Sequence, residues 1–78
     1  MTIKDIREYI LEQKLEIRVS LNYVDIINYK DIGHFDNSKV TVYHNNGEIN
    51  VIGEKLVISK LMNNEILITG SIKNIELR

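Results

Sequence analysis

The feature that most limits what this chain can fold into is a change of hydrophobic period near Leu15. Up to that point, Ile3, Ile6 and Ile10 follow the i, i+3, i+7 spacing of a helical stripe, and Leu11 widens it. Thr2 followed by Asp5 resembles a weak capping box, so the spacing predicts a short amphipathic helix over 2–14. From Leu15 the period becomes two. Leu15, Ile17, Val19 and Leu21 alternate with Glu16, Arg18 and Ser20, which predicts a strand over 15–21 with one face in the core and one wet. The composition agrees with strands. The chain has 14 Ile, 6 Val and no Ala, and β-branched side chains lose rotamer freedom in a helix.

At 78 residues the chain is a single domain with a modest core. Its 44% hydrophobic content is too high for a disordered chain. The formal net charge of −1 argues against a strongly basic nucleic-acid binder or a polyacidic tail. No Cys means no disulfide framework, thiolate metal site or cysteine nucleophile. No apolar run approaches the roughly 20 residues of a membrane helix, and the N-terminus lacks a secretory h-region.

Downstream, Tyr23–Asn28 continues the first strand or begins a second, and a weak strand lies among the turn residues between Asp31 and Ser38. Lys39–Tyr43 and Glu48–Ile52 flank Asn46-Gly47, a pair suited to the two positive-φ positions of a type I′ turn. That turn sets Tyr43 opposite Asn50 and Thr41 opposite Ile52, with Val40, Val42, Ile49 and Val51 on one face. A second hairpin joins Lys55–Lys60 to Glu65–Thr69. A three-residue loop, Met62–Asn64, sets Ile58 opposite Ile68 and Leu56 opposite Gly70, with one Asn in the left-handed region. Ile72, Ile75 and Leu77 form a last strand with an irregularity near Asn74.

A faint repeat also runs through this half. Ile49-Asn50-Val51-Ile52-Gly53 resembles Ile66-Leu67-Ile68-Thr69-Gly70, seventeen residues later, and Ile58 falls in register with Ile75. Any small sheet of alternating strands and Gly turns produces such a pattern. So would a short β-solenoid of parallel layers. The fold class expected is therefore mainly β with a short N-terminal helix: an antiparallel meander, sandwich or barrel, or alternatively a solenoid.

The stretch 23–77 resembles the YabP/YqfC family of sporulation proteins. The resemblance rests on Ile26 and Ile32 before Phe35, the strand Val40-Thr41-Val42, and the block Gly47-Glu48-Ile49-Asn50-Val51-Ile52-Gly53 with Leu56-Val57-Ile58. It closes on Leu61, then Glu65-Ile66-Leu67-Ile68-Thr69-Gly70-Ser71-Ile72, and Ile75. The leading helix and the strand at 15–21 do not contribute. What the resemblance implies is a non-enzymatic part of endospore formation, made in the mother cell and working at the developing spore envelope. It implies protein partners of that envelope and a place on the mother-cell side of the forespore or in the coat. It carries no catalytic residues and no cofactor.

His34 and His44 with Asp31 and Asp36 would make a metal site only if they converged, and a turn-rich surface explains them equally. Glu8 with Glu12, or Asp31 with Asp36, would need one desolvated partner to act as acid and base. Ser20, Ser38, Ser59 and Ser71 lack a nucleophile-elbow context. Gly33, Gly47, Gly53 and Gly70 are too dispersed for a phosphate loop. Tyr23, Tyr29, Phe35 and Tyr43 near Lys30 and Lys39 could stack bases, but no cluster of cations accompanies them. No catalytic, cofactor or metal residue is expected, and no nucleic-acid partner; the alternative function is a small β module that binds nucleic acid or a small ligand. What remains is the sheet itself. With no Pro to guard them, its edges invite a homo-oligomer through strand pairing. The helix over 2–14 would cap its own sheet or dock on a partner.

Overall fold

The structure is a computed structural model in which residues 14–78 are described. The expected helix over 2–14 therefore lies outside the described residues, except for Lys14, which has no regular structure. The remainder is an antiparallel sheet of six strands: β1 (Glu16–Val19), β2 (Tyr23–Ile27), β3 (Asp31–Phe35), β4 (Lys39–His44), β5 (Gly47–Leu61) and β6 (Glu65–Leu77). Their order across the sheet is β1-β2-β6-β5-β4-β3, and every pairing is antiparallel. This overturns the solenoid, which needs parallel layers. It also excludes a closed barrel, because β1 and β3 are edges and do not meet.

The order hides a stagger. β2 pairs only with residues 65–69 of β6, and β4 only with residues 47–52 of β5. The long β5–β6 hairpin thus carries one short hairpin on each strand, at opposite ends. One half of the molecule comprises β1, β2, the start of β6 and the end of β5. The other comprises β3, β4, the start of β5 and the end of β6. The core spans both. Val24, Ile26, Ile66 and Ile68 from the first half and Val40, Val42, Ile49 and Val51 from the second are fully buried, and Leu56 joins them. Each such side chain contributes on the order of 2 kcal/mol by leaving water.

The two halves repeat one another. In the first, Val24 pairs with Ile68 and Ile26 with Ile66; in the second, Val40 pairs with Val51 and Val42 with Ile49. Adding sixteen to the β2 numbers (24 to 40, 26 to 42) and subtracting seventeen from the β6 numbers (68 to 51, 66 to 49) converts one ladder into the other. The relation extends to the junctions. The Gly70 amide donates to the Asn22 carbonyl, and the Gly53 amide to the Ser38 carbonyl, both at 3.0 Å. The seventeen-residue repeat in the sequence is this relation, seen through β5 and β6 alone.

Glycines mark where the long hairpin bends, not where strands end. The sequence reading put Gly53 and Gly70 between separate strands; both lie inside continuous ones. A Cβ on Gly53 would stand 2.0 Å from the Ser71 carbonyl oxygen, so only glycine permits that close approach. Gly70 has φ of +139° and faces a bulge in β5 where Lys55 has φ of 55°. The expected irregularity near Asn74 is present: Ile52 pairs with Asn74 and Gly53 with Ile72, leaving Lys73 as an extra residue.

Two turns differ from expectation. His44 pairs with Gly47 and Tyr43 with Glu48, so the β4–β5 turn is Asn45-Asn46 and not Asn46-Gly47. Neither asparagine has positive φ, so the turn is not type I′. Gly47 is instead the first rung of β5. There the neighbouring Glu48 exchanges two hydrogen bonds with Arg78, of 2.8 and 2.9 Å, and a Cβ on Gly47 would strike the Arg78 carbonyl. The slip relative to the expected register is two residues, so the four core side chains keep their face. In the β5–β6 turn, Met62 donates to the Glu65 carbonyl at 2.8 Å and Leu61 pairs with Ile66, which leaves a two-residue tip at Asn63-Asn64. An extra residue at Ser59 then restores Ile58 opposite Ile68, the pairing expected from a three-residue loop. The positive-φ asparagine is Asn28, not one in this loop.

Candidate functional site

The stagger leaves unpaired backbone. Among the described residues, β1, β3, residues 57–61 of β5 and residues 73–77 of β6 each have a strand on one side only. Because Glu48 and Arg78 exchange both hydrogen bonds, the antiparallel alternation turns the amides and carbonyls of Ile75 and Leu77 away from β5. The Ile75 amide is partly satisfied by the Asn74 side chain at 2.9 Å. Exposed apolar side chains accompany these segments: Val57 and Leu61 on β5, Leu77 on β6, Val19 on β1 and Phe35 on β3. An open groove of about 560 Å³ runs between Val19 and Leu21 on one side and Ile72 and Ile75 on the other.

Val19 and Leu21 correct the sequence reading, which turned them inward with Leu15 and Ile17. Leu15 and Ile17 are half-buried against the core, but Leu21 is 82% exposed. β1 ends at Val19, and the turn through Asn22 carries Leu21 past the edge of the layer.

The polar face is not uniformly wet. In the second half Thr41 and Asn50 are buried on the face opposite the valines, where Thr41 Oγ1 donates to Asn50 Oδ1 at 2.6 Å and Asn50 Nδ2 donates to Glu48 at 3.2 Å. The equivalent rung of the first half pairs Asp25 with Leu67. Burial, then contact with the Glu65 carboxyl, pushes Asp25 above the ordinary carboxylate value. Glu65 is pulled below its own, chiefly by the Asp25 side chain and also by Lys60, whose Nζ lies 3.4 Å away. Sequence reasoning named none of these residues as chemically interesting. The offset of sixteen that sets Asp25 where Thr41 stands becomes visible only through the strand pairing.

The side chains capable of chemistry are dispersed. His34 Nε2 lies 2.6 Å from Asp36 Oδ2, while His44 Nδ1 accepts from the Asn46 amide at 3.3 Å, so the two histidines do not converge. Asp31 caps the Ile32 amide at 2.8 Å, apart from Asp36. Asp36 accepts from the Ser38 amide, the Ser38 hydroxyl and the Lys39 amide, each at 2.8 Å. The Ser38 amide, then His34, hold its carboxyl far below the usual range. This is a tight β3–β4 turn, and its serine hydroxyl faces the aspartate and not the histidine. Among the described residues no group of three or more His, Asp or Glu side chains is placed to hold a metal ion. Ser59 bonds Thr69, and Ser20 Oγ accepts from the Asn22 amide at 3.5 Å. The Tyr29 hydroxyl is engaged with the Met62 carbonyl at 2.7 Å, and the Tyr43 ring lies against Gly33. No helix among the described residues is long and apolar enough to cross a membrane.

Comparison with curated proteins yields no match, and neither does comparison with solved structures. A protein-family model does match, over residues 11–78, which extends the resemblance upstream of Tyr23 to take in β1. That span contains all six strands and both related halves, and the chain belongs to the YabP family.

Proposed function

We propose that the chain is a non-enzymatic assembly part of endospore formation, acting by self-association and by contacts with protein partners at the developing spore envelope. Membership in the YabP family suggests a sporulation-related role. The observation that carries the finer reading is the set of one-sided strand segments with exposed apolar side chains beside them. Bare strand edges template pairing with another chain, and natural sheets that avoid this carry Pro, inward charges or a cover. This chain has no Pro, and β5 and β6 stay uncovered on one side along 57–61 and 73–77 among the described residues. The place of action on this reading is the mother-cell side of the forespore or the coat.

Size-exclusion chromatography with light scattering, across micromolar concentrations and with or without single-stranded nucleic acid, tests it. A mass that rises with concentration is expected. A strict monomer at high micromolar concentration would count against the assembly role. A salt-sensitive shift on adding nucleic acid would favour a nucleic-acid-binding module instead.

A further inference from the structure

Asp25 lies midway along β2, opposite Arg18 of β1 and Leu67 of β6. Its Oδ1 is shielded from solvent and meets no hydrogen-bond donor among the described residues. Glu65 is its diagonal neighbour on the same face of the β2–β6 ladder, and the two carboxyls influence one another. Two ionised carboxylates offer no donor to one another, so this contact is favourable only when one of them is protonated. Glu65 is the one held ionised, because Lys60 of β5 lies 3.4 Å from it. The proton therefore belongs on Asp25, where it also removes the charge from a half-buried carboxyl whose shielded Oδ1 meets no donor. Among the described residues, the other charged or titratable groups on this face are Glu16 and Arg18 of β1, 3.6 Å apart, and Tyr23 on β2 itself.

We propose that Asp25 and Glu65 form a pH-sensitive latch that holds the β1–β2 hairpin to β6 while a proton is shared and loosens it when that proton is lost. The other half has Glu48 where Glu65 stands but no second carboxyl beside it, because Thr41 takes the place of Asp25 and Asn50 that of Leu67. The direction follows from the two shifts. Asp25 is raised above its ordinary 3.8, so its contribution is full below that value and is lost as pH rises through its folded-state value. Glu65 is lowered from its ordinary 4.5, so its contribution is present above that value and is lost as pH falls through its folded-state value. The latch is therefore tightest in a mildly acidic window between the two. Its release would bare the 65–69 side of β6. That consequence for assembly rests on the function proposed above; the latch does not.

Amide hydrogen exchange on the dilute, monomeric chain tests the latch, with the ratio of protection between the two halves cancelling the intrinsic pH dependence. The ratio of residues 23–27 and 65–69 to residues 39–44 and 47–52 should fall as pH rises from mildly acidic to mildly alkaline. The loss should be about tenfold for each unit by which Asp25 stands above its ordinary pKa. Asp25→Asn, which keeps a donor toward Glu65, should flatten the profile. A constant ratio in the natural chain, or an unchanged slope in Asp25→Asn, would overturn the latch. If that variant does not fold, the carbon-13 shift of the Asp25 carboxyl gives the answer in the natural chain. Titration above 3.8 supports the latch, and titration at or below it refutes the latch. Light scattering over the same pH range reads assembly separately, so a failure of one does not pass for a failure of the other.

Discussion

The two halves of this molecule share a ladder and differ in what fills its polar face. Both bury a quartet of aliphatic side chains: Val24, Ile26, Ile66 and Ile68 in one, Val40, Val42, Ile49 and Val51 in the other. On the reverse face, the second half seals a neutral pair, Thr41 with Asn50, while the first sets Asp25 against Glu65. The comparison separates two jobs of a sheet. The apolar quartets set stability, and a neutral buried hydrogen bond adds to it at every pH. A diagonal pair of carboxyls, Asp25 and Glu65, at the corresponding place is, on the proposal above, what would make the strength of that ladder depend on protons.

The largest expected effect breaks the junction between the halves. Gly53→Ala places a Cβ 2.0 Å from the Ser71 carbonyl, in the middle of a ladder pinned at both ends. It should cost about 3 kcal/mol or more, or prevent folding, as read by urea unfolding. Gly47→Val meets the Arg78 carbonyl, but at the last described rung, where the chain can give way, so its loss should be smaller. Equal losses at the two glycines would show that the junction is no more constrained than the end.

Next come the matched core positions. Ile66→Ala and Ile49→Ala remove the same side chain from equivalent rungs, and each should cost roughly 2–5 kcal/mol. The two losses should agree within about 2 kcal/mol in chemical denaturation, the spread that one substitution shows across different core sites. A much larger gap would deny that the halves are equivalent. Thr41→Val should cost about 1–3 kcal/mol, because it leaves the buried Asn50 oxygen without its donor.

The smallest effect is at the β3–β4 turn. Asp36→Asn should lower the thermal midpoint less than Thr41→Val does, since the carboxyl is exposed and screened. Its lowered carboxyl contributes stability above the ordinary 3.8 that fades as pH falls through its folded-state value. The variant should therefore lose that acid-side slope, and thermal melts across acidic pH check it.

Alternation is a parity signal, and parity was what the sequence made legible. Val40, Val42, Ile49 and Val51 share a face whether Tyr43 meets Asn50 or, as observed, Glu48. The absolute register was not legible, because Asn45-Asn46-Gly47 offers two turn placements one residue apart, whose pairings differ by two residues and leave every core side chain inside. The bulge at Ser59 was invisible for a related reason: a two-residue tip plus one extra residue ends in the same Ile58–Ile68 pairing as a longer loop. The repeat in β5 and β6 was readable because both copies are apolar with a closing Gly. Its partners in β2 and β4 were not, since Tyr23-Val24-Asp25-Ile26 and Lys39-Val40-Thr41-Val42 share only the inward positions. Outward positions answer to neighbours across the ladder, which a single sequence does not display. That is also why the Asp25–Glu65 pairing went unread, whereas Val19 and Leu21 misled because the apolar alternation runs on to the end of β1 and past it.

The central claim is that the staggered sheet works through its bare edges. Hydrogen exchange resolved by residue, at low and at high protein concentration, tests it most directly. The account predicts that amides facing outward on 57–61 of β5 and 73–77 of β6 gain protection as concentration rises, while the inner rungs of β2, β4, β5 and β6 stay unchanged. Exchange at those edge amides that is independent of concentration, in a chain that remains monomeric, would contradict it.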